Sequence, residues 1–435
     1  MLQPIEIRTL SGVRLDVPAD KTIEVIAGGI SLLSMAARST SYSLDFDLPR
    51  TPTNEVAFGY VSQLSRANKV SIGVVITYGL FQKVATLRVL SFSKNSYSCS
   101  ISYTDFTDEI KGLQINDILD TITNPILADK ADFLDDVNFR VIRNYSFTNS
   151  LSEMGVWINC KYLIDLIATE LGYTTTYGAA IDLSDAFFFC RDWKYTIENS
   201  GSYPISIEFI AQTQYKSCSV ILRDVCQVQC LDLEIDEDAK TLNFKRVVDI
   251  LANTPIAIET LTVTNKQIYS GYAATNKVNY TTGDGIVSSF RNGVFTGDGT
   301  GSHEALTIGC VIPKKTEGQF DYTGITESSI VKFIAPVPND AAWFLCDLIG
   351  GGQLSFQLYY ADPDFYVLDD YYDFLSDIFT EPIIIDAEGY ADTFQLNKIM
   401  DSKVITSVRL GGTFYVETMN GNLNTGKIIL KLIRL

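Results

Sequence analysis

Residues 217–248, SCSVILRDVCQVQCLDLEIDEDAKTLNFKRVV, change hydrophobic period half-way along, and that change sets the expected fold class. In the first half Ile221, Val225 and Val228 recur at i, i+4 and i+7, with Leu222 and Cys226 beside them and Arg223, Asp224, Gln227 and Gln229 off the stripe. This spacing predicts an amphipathic helix. In the second half Leu231, Leu233 and Ile235 alternate with Asp232, Glu234 and Asp236; the polar turn DEDA follows, and Leu242 and Phe244 alternate with Asn243 and Lys245. A period of two on both sides of a polar turn predicts a β-hairpin. The stretch reads as a helix covering one face of a small antiparallel sheet, with core side chains and no catalytic group.

Working outward, a second helix is predicted over 160–171. Leu163, Ile164, Ile167, Ala168 and Leu171 share one face, and Gly172 supplies the stop. Between the helices YPISIEFI, 203–210, alternates strictly and predicts a strand. Upstream, 5–107 is read as short strands, among them 70–78, 85–92 and 97–103, with 49–54 as a breaker cluster. Residues 108–122 carry Ile115, Ile118, Leu119 and Ile122 at helical spacing. Downstream, 256–280 and 331–337 read as β around a glycine-rich stretch, 281–302, and 404–410, 414–419 and 427–435 form three closing strands. The expected class is mainly β with a minor α part: several antiparallel barrel or sandwich domains with two short packing helices. The divisions fall at 1–125, a β-barrel-like domain; 126–250, an α+β middle domain; 251–345, a second β domain; and 346–435, a C-terminal β domain that completes a second barrel.

Composition narrows the function. At 435 residues and 46% hydrophobic content the chain buries several cores. Lys+Arg 34 against Asp+Glu 52 gives a formal charge of −18, which opposes general binding to phosphate backbones. The start MLQPI lacks the features of a secretory signal, and no apolar run has the length of a membrane helix. Eight scattered cysteines read as buried thiols of a reducing cytoplasm. Cys226 and Cys230 share a helical spacing without further ligands. His303 is the sole histidine, so a two-histidine metal site is excluded; TGDGTGSHEA around it reads as a polar loop.

Three segments in order resemble the baseplate hub or tail-tip hub proteins of tailed bacteriophages, in the form found in phages of Bacteroides-like hosts. They are SLDFDLPRTPTNEVAFGY; the helix ending LIATELGY together with the helix leading into EIDEDAKTLNF; and GGTFYVETMNGNLNTGKIILKLIRL. AATNKVNY, 273–280, is similar to a further strand of that family. The resemblance implies two pseudo-equivalent barrels per subunit and a homotrimer that joins a sixfold tail tube to a threefold tip. It also implies tail-tube and tail-tip proteins as partners, DNA passing only transiently, assembly in the bacterial host cytoplasm and a place in the virion tail. No cofactor, metal or catalytic residue is implied. In this reading Ile221, Val225, Val228, Leu163 and Ile167 are packing residues.

Two other readings remain open on the residues. LYYADPDFYVLDDYYDFLSDIF is crowded with aromatic and acidic residues, and Phe365, Tyr366, Tyr371 and Tyr372 are candidates for a subunit interface or for a carbohydrate-binding receptor surface. A tail-borne cell-wall hydrolase would need paired carboxylates such as Asp369 and Asp373, a pair that carries little weight in a chain so rich in acids. The expectation is a structural protein, not an enzyme.

Overall fold

The computed structural model describes residues 5–18, 24–28, 42–43, 46–61, 70–79, 81–102, 106–119, 126–127, 139–143, 154–183, 186–190, 196–197, 205–206, 217–236, 239–268, 275–282, 293–296, 302–312, 314–316, 319–321, 328–332, 374, 378, 383–423 and 425–435. The fold is mainly β with a few short helices. The largest sheet among the described residues has 13 strands. Its path runs Glu6–Thr9, Val70–Tyr78, Phe81–Phe92, Ser96–Ser102, Tyr42–Ser43, Glu24–Gly28, Gly412–Asn422, Lys427–Arg434, Ile383–Tyr390 and Thr262–Ile268. The two ends of the chain meet in the middle of it, where Glu24 pairs with Asn422 and Gly28 with Thr418. Segments 1–125 and 346–435 therefore contribute to one sheet.

The C-terminal strands explain how the cores are arranged. Successive side chains of a strand point to opposite faces. In Ile383–Tyr390, Ile384 enters one core and Ile385 the other; in Gly412–Asn422, Tyr415 and its neighbours Phe414 and Val416 divide in the same way, as do Ile433 and Leu432 in Lys427–Arg434. At 384–385, 414–416 and 432–433 the apolar residues are consecutive because the strands are buried on both faces there. They form a partition. On one side lies a core of N-terminal strands capped by the helix Thr393–Ser402; on the other lie the central helices and a three-stranded sheet.

That smaller sheet is ordered Thr174–Tyr177, Thr241–Arg246, Leu231–Asp236, its first pair parallel and its second antiparallel. The helices Cys160–Glu170 and Cys218–Val228 pack in the same core and touch each other. A second sheet of seven strands includes Met154–Asn159, which feeds the first of these helices, and Ser302–Ile312, which packs on the second.

Four local readings need correction. The breaker cluster at 49–54 contains the start of a helix, Pro52–Ala57: Thr51 caps it and Pro52 stands in its first turn, where proline lacks only a hydrogen-bond donor the helix would not use. Residues 108–122 hold two short helices, Phe106–Lys111 and Ile115–Leu119, separated at Gly112. His303 is not in a loop but in Ser302–Ile312, where parallel pairing with Thr275–Thr282 satisfies the backbone. Cys230 lies beyond the helix end with φ +51°, so it does not share a helical face with Cys226. Of the strand expected at 203–210, Ile205–Ser206 is present and the remainder lies outside the described residues.

Candidate functional site at the joint between two cores

The helix and hairpin of 217–248 meet the partition at a joint built largely of apolar side chains. Ile221 and Val225 are fully buried, as are Leu163 and Ile167 of the neighbouring helix, and the same core takes Ile384, Tyr415 and Ile433 from the partition. Val228 ends its helix, and its side chain lies outside the described residues. Phe365, Tyr366, Tyr371, Tyr372, Asp369 and Asp373 lie outside them too.

One buried ion pair crosses the joint. Asp232, on the first hairpin strand, accepts from Lys403 Nζ at 2.6 Å, with the two side chains 2% and 14% exposed. Lys403 sits at a junction of three elements. It ends the helix Thr393–Ser402 in the left-handed conformation, its amide donates to Ile399, and its carbonyl accepts from Val416 on the partition at 2.8 Å. The chain after the hairpin is tied down nearby, with Asn253 Nδ2 donating to the Ser402 carbonyl at 3.0 Å. A low-dielectric surrounding strengthens the attraction and makes an unpaired charge costly, so the pair fixes the relative position of hairpin and partition.

A second polar cluster holds the Cys160–Glu170 helix to Thr174–Tyr177. Asp165 accepts from Lys161 Nζ at 2.9 Å, from the Tyr177 hydroxyl at 2.9 Å and from Thr175 Oγ1. The Tyr177 ring stacks on Phe244 at 5.1 Å. Burial first, and then the Asp165 carboxylate, push the Tyr177 phenol above its ordinary range, so it remains a donor. Burial, followed by the Asp117 carboxylate, pushes the Cys218 thiol up to about 12; a thiol held protonated is a packing group rather than a nucleophile. Cys99, Cys160, Cys218 and Cys230 are buried. Among the described residues no three His, Cys, Asp or Glu side chains gather in a metal-binding set, and no helix is long and apolar enough to cross a membrane.

Reading by periodicity missed Lys403 and the helix before it. The signal was present as Asp392 and Gln395, whose side chains and backbone amides exchange hydrogen bonds in a capping box. Tyr415 and Ile433 were legible as apolar strand residues, but not as the second face of a partition, and the strand Ile383–Tyr390 that carries Ile384 was not read.

No family model matches the chain, and no curated protein matches it in sequence. Among solved structures it is similar to the 43 kDa tail protein of prophage MuSo2 from Shewanella oneidensis, at 10% identity over 99% of this chain and 97% of that one, with a TM-score of 0.42. It is also similar to a chain in the phage P2 baseplate in its activated conformation with Ca, at 10% identity over 99% and 98% of the two chains and a TM-score of 0.24.

Proposed function

We propose that this chain is a structural protein of a bacteriophage tail. In this reading it forms a trimeric hub that joins the sixfold tail tube to the threefold tip and lines the channel through which DNA leaves. The observation that carries the reading is that the three sequence segments resembling hub proteins converge in one body. Phe46–Pro49 and the strands Gly412–Asn422 and Lys427–Arg434 belong to the same sheet, and the helix–hairpin segment is bolted to that sheet through Tyr415, Ile433 and the Lys403–Asp232 pair. A connector needs its parts held in fixed relation, and a two-sided apolar partition does this without catalytic groups. The formal charge of −18 suits a wall that DNA passes without being held, since basic groups would retain phosphates by counterion release.

In this reading the partners are two further copies of the chain and the neighbouring tube and tip proteins of the virion, and DNA is a passing contact. Light scattering on the purified chain is expected to give three times the 48.3 kDa subunit mass, and negative-stain images a threefold ring. A monomer that is depleted by host polysaccharide would replace the hub with the receptor reading. Hydrolysis of cell-wall material, abolished by Asp369→Asn or Asp373→Asn, would replace it with the hydrolase reading.

A further inference from the structure

The segments 159–177 and 217–235 align without a gap, each as an eleven-residue helix, a short turn and a strand, the turn being 171–173 in the first and 229–230 in the second. Cys160 matches Cys218, and the buried residues Leu163, Ile164 and Ile167 match Ile221, Leu222 and Val225. The turn residues Gly172 and Cys230 both have positive φ, +74° and +51°. The second copy is built against its own local rules at three points. Ser217 makes no capping bond to its helix; its hydroxyl engages that of Ser219 at 2.8 Å. Cys230 places a Cβ where the first copy has glycine, a conformation costly for ordinary residues. Gln229 is fully buried, and among the described residues neither its amide nitrogen nor its amide oxygen has a hydrogen-bond partner; the first copy has Leu171 there.

We propose that the helix Cys218–Val228 is a release element that undocks from the folded chain ahead of its counterpart, Cys160–Glu170, by turning about Gln229 and Cys230. Immediately after that turn the hairpin is anchored by Asp232 to Lys403, so the opening is confined to the helix: it withdraws Ile221 and Val225 from the joint and leaves the attachment of the hairpin to the partition in place. A buried amide without partners and a left-handed cysteine are both relieved when the turn opens and the amide reaches water. Hinges absorb such changes in backbone angle at a few terminal residues. The opening uncovers the Ile221, Val225 and Cys218 face and gives the chain a second conformation independent of the hub reading.

Amide hydrogen exchange on the full chain, read by mass spectrometry, tests this inside one molecule. Residues 219–228 are expected to exchange about tenfold faster than 161–170 after correction for intrinsic rates, the size of effect one unsatisfied buried group produces. Gln229→Leu, which copies Leu171, is expected to slow the second helix about tenfold and leave the first unchanged. Cys230→Gly, which copies Gly172, is an independent variant expected to act in the same direction. In parallel, Cys218 is expected to react with a maleimide faster than Cys160, both being buried in the closed form. Equal protection of the two helices in the wild type would overturn the proposal. So would an unchanged or faster second helix in both variants.

Discussion

The two helix–strand units share a plan and differ in how they are finished. The first is capped at both ends: Asn159 Oδ1 accepts from the amides of Lys161 and Tyr162, and Tyr173 N returns to the Ala168 carbonyl past Gly172. The second has no side-chain cap at its start, where Cys218 N donates instead to the Leu113 carbonyl at 3.0 Å, and has a buried glutamine and a cysteine in the turn, but carries the ion pair that joins the cores. Local perfection and long-range attachment fall on different copies. A unit that only fills a core can satisfy every local rule, whereas one that is also tethered from outside tolerates local conflict because the tether holds it in place.

The largest effect should come from charging either buried stripe. Val225→Asp and Ile167→Asp each place an unpaired carboxylate at a fully buried position and should cost several kcal/mol, enough to lose the middle core and, on the proposed hub function, ring assembly with it. Urea unfolding and light scattering measure both losses. Wild-type behaviour of one variant would mean that its helix does not pack as described.

Next comes the tether. Asp232→Asn leaves the Lys403 ammonium facing a neutral amide in a site that is nearly closed to water, and should cost about 3–5 kcal/mol. The matching residue in the first unit is Thr174, which is exposed, and Thr174→Ala should stay within about 0.5 kcal/mol. The double variant Asp232→Leu, Lys403→Met should recover most of the loss, because two apolar groups leave no charge behind. A single-site cost as small as that of Thr174→Ala would remove the tether from the comparison.

The units themselves were legible in the sequence because each buries one face and so prints a clean period. The helix Thr393–Ser402 was not: among its buried residues are only Leu396 and Ile399, and the capping box is a fainter signal than a stripe. Pro52 was misread because proline breaks a helix interior but suits its first turn. The strands at 404–434 were recognisable, yet their pairing with Glu24–Gly28 was not, since register between opposite ends of a chain is written in no local pattern. For the same reason the partition, and with it the joint, emerged only from the fold. The aromatic candidates Phe365, Tyr366, Tyr371 and Tyr372 lie outside the described residues.

A smaller effect separates the two helix starts. Asn159 also donates from Nδ2 to the Leu183 carbonyl at 2.9 Å, so Asn159→Ala removes a cap and a loop anchor together and should cost about 2 kcal/mol. Ser217→Ala, which removes no capping bond, should cost no more than about 0.5 kcal/mol by the same measurement of thermal or urea stability. Equal costs would show that the starts are alike and confine the asymmetry to the turn.

The smallest effect isolates that turn. A Cβ built on Gly172 meets no atom within 4 Å, so substitution there is opposed by backbone conformation alone and not by crowding. At φ +74° Gly172→Ala should cost about 1 kcal/mol. Gly172→Asn should cost less, because asparagine enters the left-handed region more readily than other side-chain-bearing residues. The ordering glycine, asparagine, alanine is the signature of strain; a loss equal for alanine and asparagine would mean that the first turn depends on space rather than on backbone angle, and the contrast with Cys230 would then lose its physical basis.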